Sequence, residues 1–229
     1  MIYVISDIHG NINRFNSIME QINLQDTDTL YVLGDVIDRY PDGIKILRSI
    51  MKKDNIKMLI GNHEYMMLEA LKTRDDDFPN IYEIQLWYSN GGRVTHNYLK
   101  HISKKIRKEV FHYLYALPVN IEIKVNDKKY LLVHGAPERN FKRESGGYES
   151  SKEYAVWERW QPFDGVPDGY TLIFGHTPTV EFNGKIPTEI FFCDNAIGID
   201  CGSGFKNGRL SCIRLDDMKI FYSNEDKKI

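Results

Sequence analysis

The feature that most constrains this chain is a recurrence: short apolar runs, each followed by a glycine-bearing turn and a carboxylate, imidazole or amide side chain. Asp7 and His9 follow the run 2–5, and Asp35 and Asp38 follow 30–33. Asn62 and His63 follow 57–60, His134 follows 129–133, and His176 follows 171–174. Runs this short, bounded by turn residues, read as buried strands. In layered α/β folds the loops leaving the strand ends gather along one edge, so these loops are expected to meet in one cleft. Gly10, Gly34, Gly61, Gly135 and Gly175 accompany them, and are expected to permit positive φ or close backbone approach.

Between the early strands, Ile12, Phe15, Met19 and Ile22 keep helical spacing, as do Ile44, Leu47 and Met51, the latter helix opening near Pro41. The first third therefore reads βαβαβ. The stretch 81–117 is helical in pattern and is expected to be an insertion. Strands are expected again at 119–125, 129–133, 171–174, 189–193, 197–200, 210–215 and 218–222, with hairpin turns at Asn126, Asp127, Lys128 and at Asp216, Asp217. The acidic triplet Asp75, Asp76, Asp77 and the stretch 137–151 read as exposed loops. No linker or repeat divides the 229 residues, which predicts one domain over 1–229. The fold class that accounts for this order is α/β (α+β): two mixed β-sheets packed as a sandwich flanked by helices, αββα, the second sheet the more antiparallel.

Thirty Lys and Arg against 32 Asp and Glu give a formal charge of −2, which offers no global field for nucleic acid or anionic membrane. No apolar run approaches the ~18 residues that cross a bilayer, and no secretory layout precedes the first strand, so a cytoplasmic location is expected. Cys193, Cys201 and Cys212 form no metal or redox spacing and are expected to be buried free thiols.

Taken singly, an Asp-Xaa-His or Asp-Xaa-Xaa-Asp-Arg after a strand is a turn or a helix cap. Their joint occurrence points elsewhere. Asp7, His9, Asp35, Asn62, His134 and His176 mix carboxylate, imidazole and amide oxygen, a donor set suited to divalent Mn, Fe or Zn and unlike an all-oxygen calcium cage. His96, His101 and His112 lie in the helical stretch without carboxylates around them and are read as surface or packed histidines.

The segments Ser6-Asp7-Ile8-His9-Gly10, Gly34-Asp35-Val36-Ile37-Asp38-Arg39-Tyr40, Gly61-Asn62-His63-Glu64, His134-Gly135-Ala136 and Gly175-His176-Thr177-Pro178 resemble the calcineurin-like metallophosphoesterases, in the phosphoprotein phosphatase branch that includes the phage lambda phosphatase and bacterial serine/threonine phosphatases. Trp87 with Asn90-Gly91-Gly92, and Ile199-Asp200-Cys201-Gly202, also resemble bacterial members. The resemblance implies two divalent or transition metal ions, expected to be Mn with Fe or Zn as alternatives: one on Asp7, His9 and Asp35, the second on Asp35, Asn62, His134 and His176, with water held between them attacking phosphorus directly. It implies His63 as general acid, oriented by Asp38, and Arg39 as a phosphate grip, with Arg159 a candidate second one. Ser6, Ala136 and Tyr40 depart from the family's glycines, and Tyr40 adds bulk beside the expected pocket.

Phosphoserine and phosphothreonine proteins, or small phosphoesters, are the expected substrates. Diadenosine tetraphosphate hydrolysis is the alternative, for which Tyr82, Trp87, Tyr88 or Trp160 would supply an adenine pocket. A metal-free binding scaffold is the remote alternative, and it would be expected to have lost ligands that this chain retains.

Overall fold

A computed structural model describes residues 1–72, 80–142, 144 and 147–224; the acidic triplet at 75–77 lies outside them. β1 (Ile2–Ile5), β2 (Thr29–Val32) and β3 (Ile56–Met58) are parallel, with α1 (Ile12–Ile22) and α2 (Gly43–Ile50) as their crossovers. α3 (Asn62–Ala70) follows, then α4 (Ile81–Ser89), α5 (Arg93–Lys100) and α6 (Lys104–Tyr115). The second sheet is built from β4 (Asn120–Val125), β5 (Lys128–Val133), β6 (Tyr170–Phe174), β7 (Phe191–Cys193) and β8 (Ala196–Gly198), with α7 (Ser151–Trp157) and α8 (Val180–Asn183) in its connections. β9 (Ser211–Arg214) and β10 (Lys219–Tyr222) end the described chain.

The result is two mixed five-stranded sheets flanked by helices, in the orders β10-β9-β1-β2-β3 and β4-β5-β6-β8-β7. One expectation is corrected. β9 and β10 return to pair antiparallel beside β1, and the second sheet has a parallel centre, β5-β6-β8, with antiparallel edges. It is therefore no more antiparallel than the first. Local pattern distinguishes a strand from a helix but carries no information on which distant edge the strand will join.

The four layers follow from the two-residue period of strands. In β1, Tyr3 and Ile5 pack toward the helices, while Val4 packs between the sheets. In β5, Tyr130 and Leu132 face the inter-sheet core, while Leu131 and Val133 turn to the outer layer with Trp160 and Phe174. Strands buried on both faces read as continuous apolar runs, which is why the sequence showed runs rather than alternation. Each fully buried Leu or Ile contributes about 1.5–3 kcal/mol of transfer free energy.

Asn11 caps α1 through its side chain, accepting from the backbone N–H of Arg14, and α1 ends at Asn23 in the left-handed region, φ 43°. Asn126 and Asp127, φ 47° and 64°, turn β4 into β5 as a two-residue hairpin. Among the described residues of 137–151, Glu138–Asn140 form a 3-10 turn and Ser151 opens α7. Cys201 and Cys212 are buried, whereas Cys193 is partly exposed on β7, a strand of three residues too short to cover it. Among the described residues no helix is long and apolar enough to cross a membrane.

Candidate active site

The loops that leave β1, β2, β5 and β6, and the turn from β3 into α3, meet at one edge of the sandwich. The first two are laced together: the N–H groups of Asp7, His9 and Gly10 donate to the carbonyls of Gly34, Asp35 and Val36. Five non-glycine residues of these two loops, Asp7, His9, Asp35, Asp38 and Arg39, take positive φ between 51° and 71°, as does His176 at 62°. An L-residue pays of order 1–3 kcal/mol there, and such strain persists only where surrounding structure fixes it. Among the accompanying glycines, Gly34 (φ 91°) meets the positive-φ expectation, but Gly61 and Gly175 do not. They are required for close approach instead: a Cβ at Gly61 would collide with the Asp35 carboxylate, and one at Gly175 with Ser6 and Asp7.

The side chains converge. Asp35 presents Oδ2 at 3.7 Å from His9 Nε2 and 3.8 Å from His63 Nε2, and Oδ1 at 3.4 Å from His134 Nε2. Asp7 Oδ1 lies 3.8 Å from His9 Nε2, and Asn62 Oδ1 lies 2.9 Å from His134 Nε2. Asp7, His9, Asp35, Asn62, His63, His134 and His176 are all buried. Two overlapping groups of buried donor atoms, from His9, Asp35 and His63 and from Asp35, His134 and His176, each fall within 4.8 Å.

Hydrogen bonding separates the imidazoles. His134 Nδ1 donates to the Leu33 carbonyl at 2.6 Å, His9 Nδ1 to Ile37 at 3.3 Å, and His176 Nε2 to Trp157 at 3.1 Å. A carbonyl only accepts, so each of these rings must carry a proton on the bonded nitrogen, which leaves its second nitrogen facing the cleft as in a metal ligand. Burial pushes the His176 imidazole down to about 3, and burial with the neighbouring His63 holds His9 well below its ordinary value, so both are neutral. For Asp35, burial favours the acid, but the neighbouring His134 and His63 outweigh it and hold the carboxyl below the usual range. Buried imidazole nitrogens gathered around a buried carboxylate form a donor set that fits divalent cations.

His63 differs. Its Nδ1 donates to Asp38 Oδ2 at 2.8 Å, leaving Nε2 toward the cleft, 3.4 Å from Arg39 Nη2. Burial opposes the charge on His63, but Asp35 and the Asp38 hydrogen bond overcome this and raise its pKa. The Asp38 carboxylate thus favours the charged ring at His63, unlike the surroundings of His9 and His176.

The same Asp38 oxygen accepts the indole N–H of the fully buried Trp87 at 2.8 Å, so α4 fixes the carboxylate that fixes His63. Glu64, one turn into α3, accepts from the N–H groups of Asp35, Val36, Ile37 and Gly61 at 2.9–3.2 Å. Burial and the Asp35 carboxylate push its pKa up to about 7, against four donors that favour the charge. The first N–H groups of α3 serve Asp35 as well, His63 N reaching its Oδ1 at 3.0 Å. Ser6, where the family carries glycine, donates its hydroxyl to Asp7, and Tyr40 sits outside the positive-φ set, so neither departure strains the backbone.

The roles of Glu64 and Trp87 were not apparent from the sequence, although both lie inside recognised segments. Arg14 was missed altogether; its signal is a cation at helical spacing to Ile18 and Ile22 on the buried face of α1. Asp200 is also buried here; burial and the nearby Asp7 raise its pKa well above the ordinary value. Arg159 is placed at the rim, half exposed, 3.5 Å from the His176 carbonyl and 3.7 Å from Glu181. Trp87 and Trp160 are enclosed in the core and cannot line an adenine pocket, because the ring faces that would stack a base are already packed. His96 stacks on Trp87 at 5.5 Å and meets the Tyr88 hydroxyl, which places it in packing.

This edge, with paired acid and imidazole groups over the ends of a two-sheet sandwich, belongs to a known class. Residues 1–197 match the calcineurin-like phosphoesterase family, and the chain belongs to it. It is a phosphoester hydrolase of a family that normally binds divalent metals. Serine/threonine-protein phosphatase 2 of Salmonella typhimurium is 28% identical over 226 residues, spanning 93% of this chain and 92% of the relative. The symmetrical bis(5'-nucleosyl)-tetraphosphatase of Wigglesworthia glossinidia brevipalpis is 25% identical over 278 residues, spanning 98% and 99%. A metallophosphoesterase from Sphaerobacter thermophilus superposes with a TM-score of 0.57 at 16% identity, over 99% of this chain and 89% of its own. A serine/threonine phosphatase from Saccharomyces cerevisiae does so at 0.58 and 15%, over 100% and 80%. Both structures share the fold.

Proposed function

We propose that this protein is a dinuclear-metal phosphomonoesterase that dephosphorylates phosphoserine and phosphothreonine proteins. In this reading one ion is held by Asp7, His9 and Asp35 and the other by Asp35, Asn62, His134 and His176, in one domain whose helical insertion covers about 81–117. Manganese suits the mixed oxygen and nitrogen donors, with Fe or Zn also compatible. When bound, two such ions supply Lewis acidity that lowers the pKa of a shared water and offsets the charge of the phosphate. The observation that carries the reading is the division among the imidazoles: His9, His134 and His176 are held by backbone carbonyls, while His63 is held by the Asp38 carboxylate.

The chain's own residues do the rest. Arg39 and, from the rim, Arg159 bind phosphoryl oxygens, for which a planar guanidinium fork is suited. His63 Nε2 holds the proton that the leaving alkoxide takes, and Asp38 keeps the ring oriented and charged. Trp87 holds Asp38 in place. A cytoplasmic setting and a phosphoprotein partner go with this reading. Its kinship with serine/threonine-protein phosphatase 2 along 93% of the chain supports the substrate class.

Kinship with a symmetrical bis(5'-nucleosyl)-tetraphosphatase along 98% of the chain favours a second reading, dinucleoside polyphosphate hydrolysis. A manganese-dependent panel of phosphoserine, phosphothreonine and phosphotyrosine peptides, diadenosine tetraphosphate and a cyclic phosphodiester decides between them. Fastest turnover of the phosphoserine or phosphothreonine peptide is expected. Faster turnover of the dinucleotide replaces the first reading with the second.

A further inference from the structure

A loop from Gly202 to Gly208 leans over the cleft between β8 and β9 and is closed on itself by Phe205 N–H to Gly202 O and Gly208 N–H to Phe205 O, at 2.9 and 3.1 Å. Gly204 passes so close to the site that a Cβ there would strike the Arg39 side chain and the His9 ring. Phe205 is 52% exposed, yet its ring lies under the Arg39 guanidinium, 4.6 Å from Cζ to centroid. An aromatic face this close to a guanidinium attracts it and restricts its rotamers. Nothing in the loop's own turn dictates that placement.

Arg14 supplies the missing support. Its side chain, 3% exposed on the inner face of α1, donates from Nη1 to the carbonyls of Ser203 and Phe205 at 2.7 and 3.0 Å, and from Nη2 to Lys206 at 3.3 Å. Ser203 Oγ adds a bond to the Ile8 carbonyl, between Asp7 and His9. Three carbonyls converging on one guanidinium fix the loop as a unit, because the fork presents its donors in a rigid plane. The chain of contact runs from α1 through the loop to Phe205 and then to Arg39.

We infer that Arg14 is a positioning residue of the substrate subsite: by tying the 203–206 carbonyls to α1 it seats Phe205 against Arg39, and so sets where that guanidinium meets the phosphoryl group. The exposed side of Phe205 then forms an apolar wall beside the phosphate, favouring substrates with a flat or apolar group next to the ester oxygen. The inference rests on the proposed role of Arg39.

The test is steady-state kinetics of the manganese-loaded protein with p-nitrophenyl phosphate, together with calorimetric binding of inorganic phosphate, on Arg14→Gln, Phe205→Ala, the double variant and Arg39→Ala. Arg14→Gln and Phe205→Ala are each expected to raise KM and weaken phosphate binding by about tenfold, with kcat changed far less, and the double variant to be no worse than the weaker single one. Arg14→Lys, able to reach fewer carbonyls, should fall between wild type and Arg14→Gln; it is read in the same way if Arg14→Gln does not fold. Effects that multiply in the double variant, or a lowered Tm with unchanged KM and phosphate affinity, overturn the inference. If Arg39→Ala leaves KM and phosphate affinity unchanged, the role of Arg39 itself fails; if it raises KM while the other variants do not, only the role of Arg14 fails.

Discussion

At the scale of residues, the site separates its histidines by what each ring nitrogen is bonded to. His63 donates to a carboxylate where the other three donate to carbonyls, and a carboxylate partner favours the charged ring. His63→Ala is expected to keep its metals and lose about 10²–10⁴-fold in kcat, most for poor leaving groups. A leaving-group series with metal content measured in parallel checks this, and an equal loss across the series would contradict the acid role. Trp87→Phe removes the indole donor from an Asp38 whose Oδ1 already has no partner among the described residues. It should reproduce the leaving-group signature of His63→Ala at smaller amplitude, and an unfavourably buried acceptor of this kind costs about 1–3 kcal/mol, readable in a urea titration. His63 and Asp38 were legible in the sequence through their motifs. Trp87 as the support of Asp38 was not, because the two are joined only when α4 packs beneath the loop after β2.

At the scale of elements, α3 acts as a clamp: its second residue donates to Asp35 and its third, Glu64, gathers four N–H groups from the turns after β2 and β3. Glu64→Gln puts an amide NH2 where two donors now point, so it is expected to lower Tm and weaken metal binding together. Retained metal affinity in a folded Glu64→Gln protein would show that the clamp does not set the ligands. The thiols divide by the strands that carry them. Burial pushes Cys201 up to about 12 and Cys212 higher, so both should resist a thiol reagent until the protein unfolds, whereas Cys193 on the short edge strand β7 reacts in the native state. Counting modified cysteines with and without denaturant tests it. Strand cores were visible in sequence because both faces are buried and the runs are uniformly apolar. Their ends were not, and the predicted runs at 30–33 and 57–60 end one and two residues late, since Leu33, and Leu59 with Ile60, belong to the connections that follow β2 and β3.

At the scale of the whole molecule, two sheets bring buried carboxylates and imidazoles from five chain segments to one edge, and cations bound there stabilise only the folded state. With free metal at about 100 times its Kd the linkage is worth about 2.7 kcal/mol, and at about 2–4 °C per kcal/mol chelation is expected to lower Tm by roughly 5–10 °C. Calorimetry with EDTA and with manganese restored measures it; an unchanged Tm would mean that the cleft holds no tightly bound ion. The sequence by itself determined the order of elements, the reaction class and the residues at strand ends, because apolar periodicity and motif chemistry are local properties. Tertiary structure alone decided that β9 and β10 join the first sheet, that Trp87 and Trp160 are core rather than pocket, that Asp7, His9, Asp35 and His176 sit at positive φ, and that Arg14 reaches across 189 positions to Ser203. Each of these depends on which distant surfaces meet, and a pattern repeating every two or four residues cannot encode that.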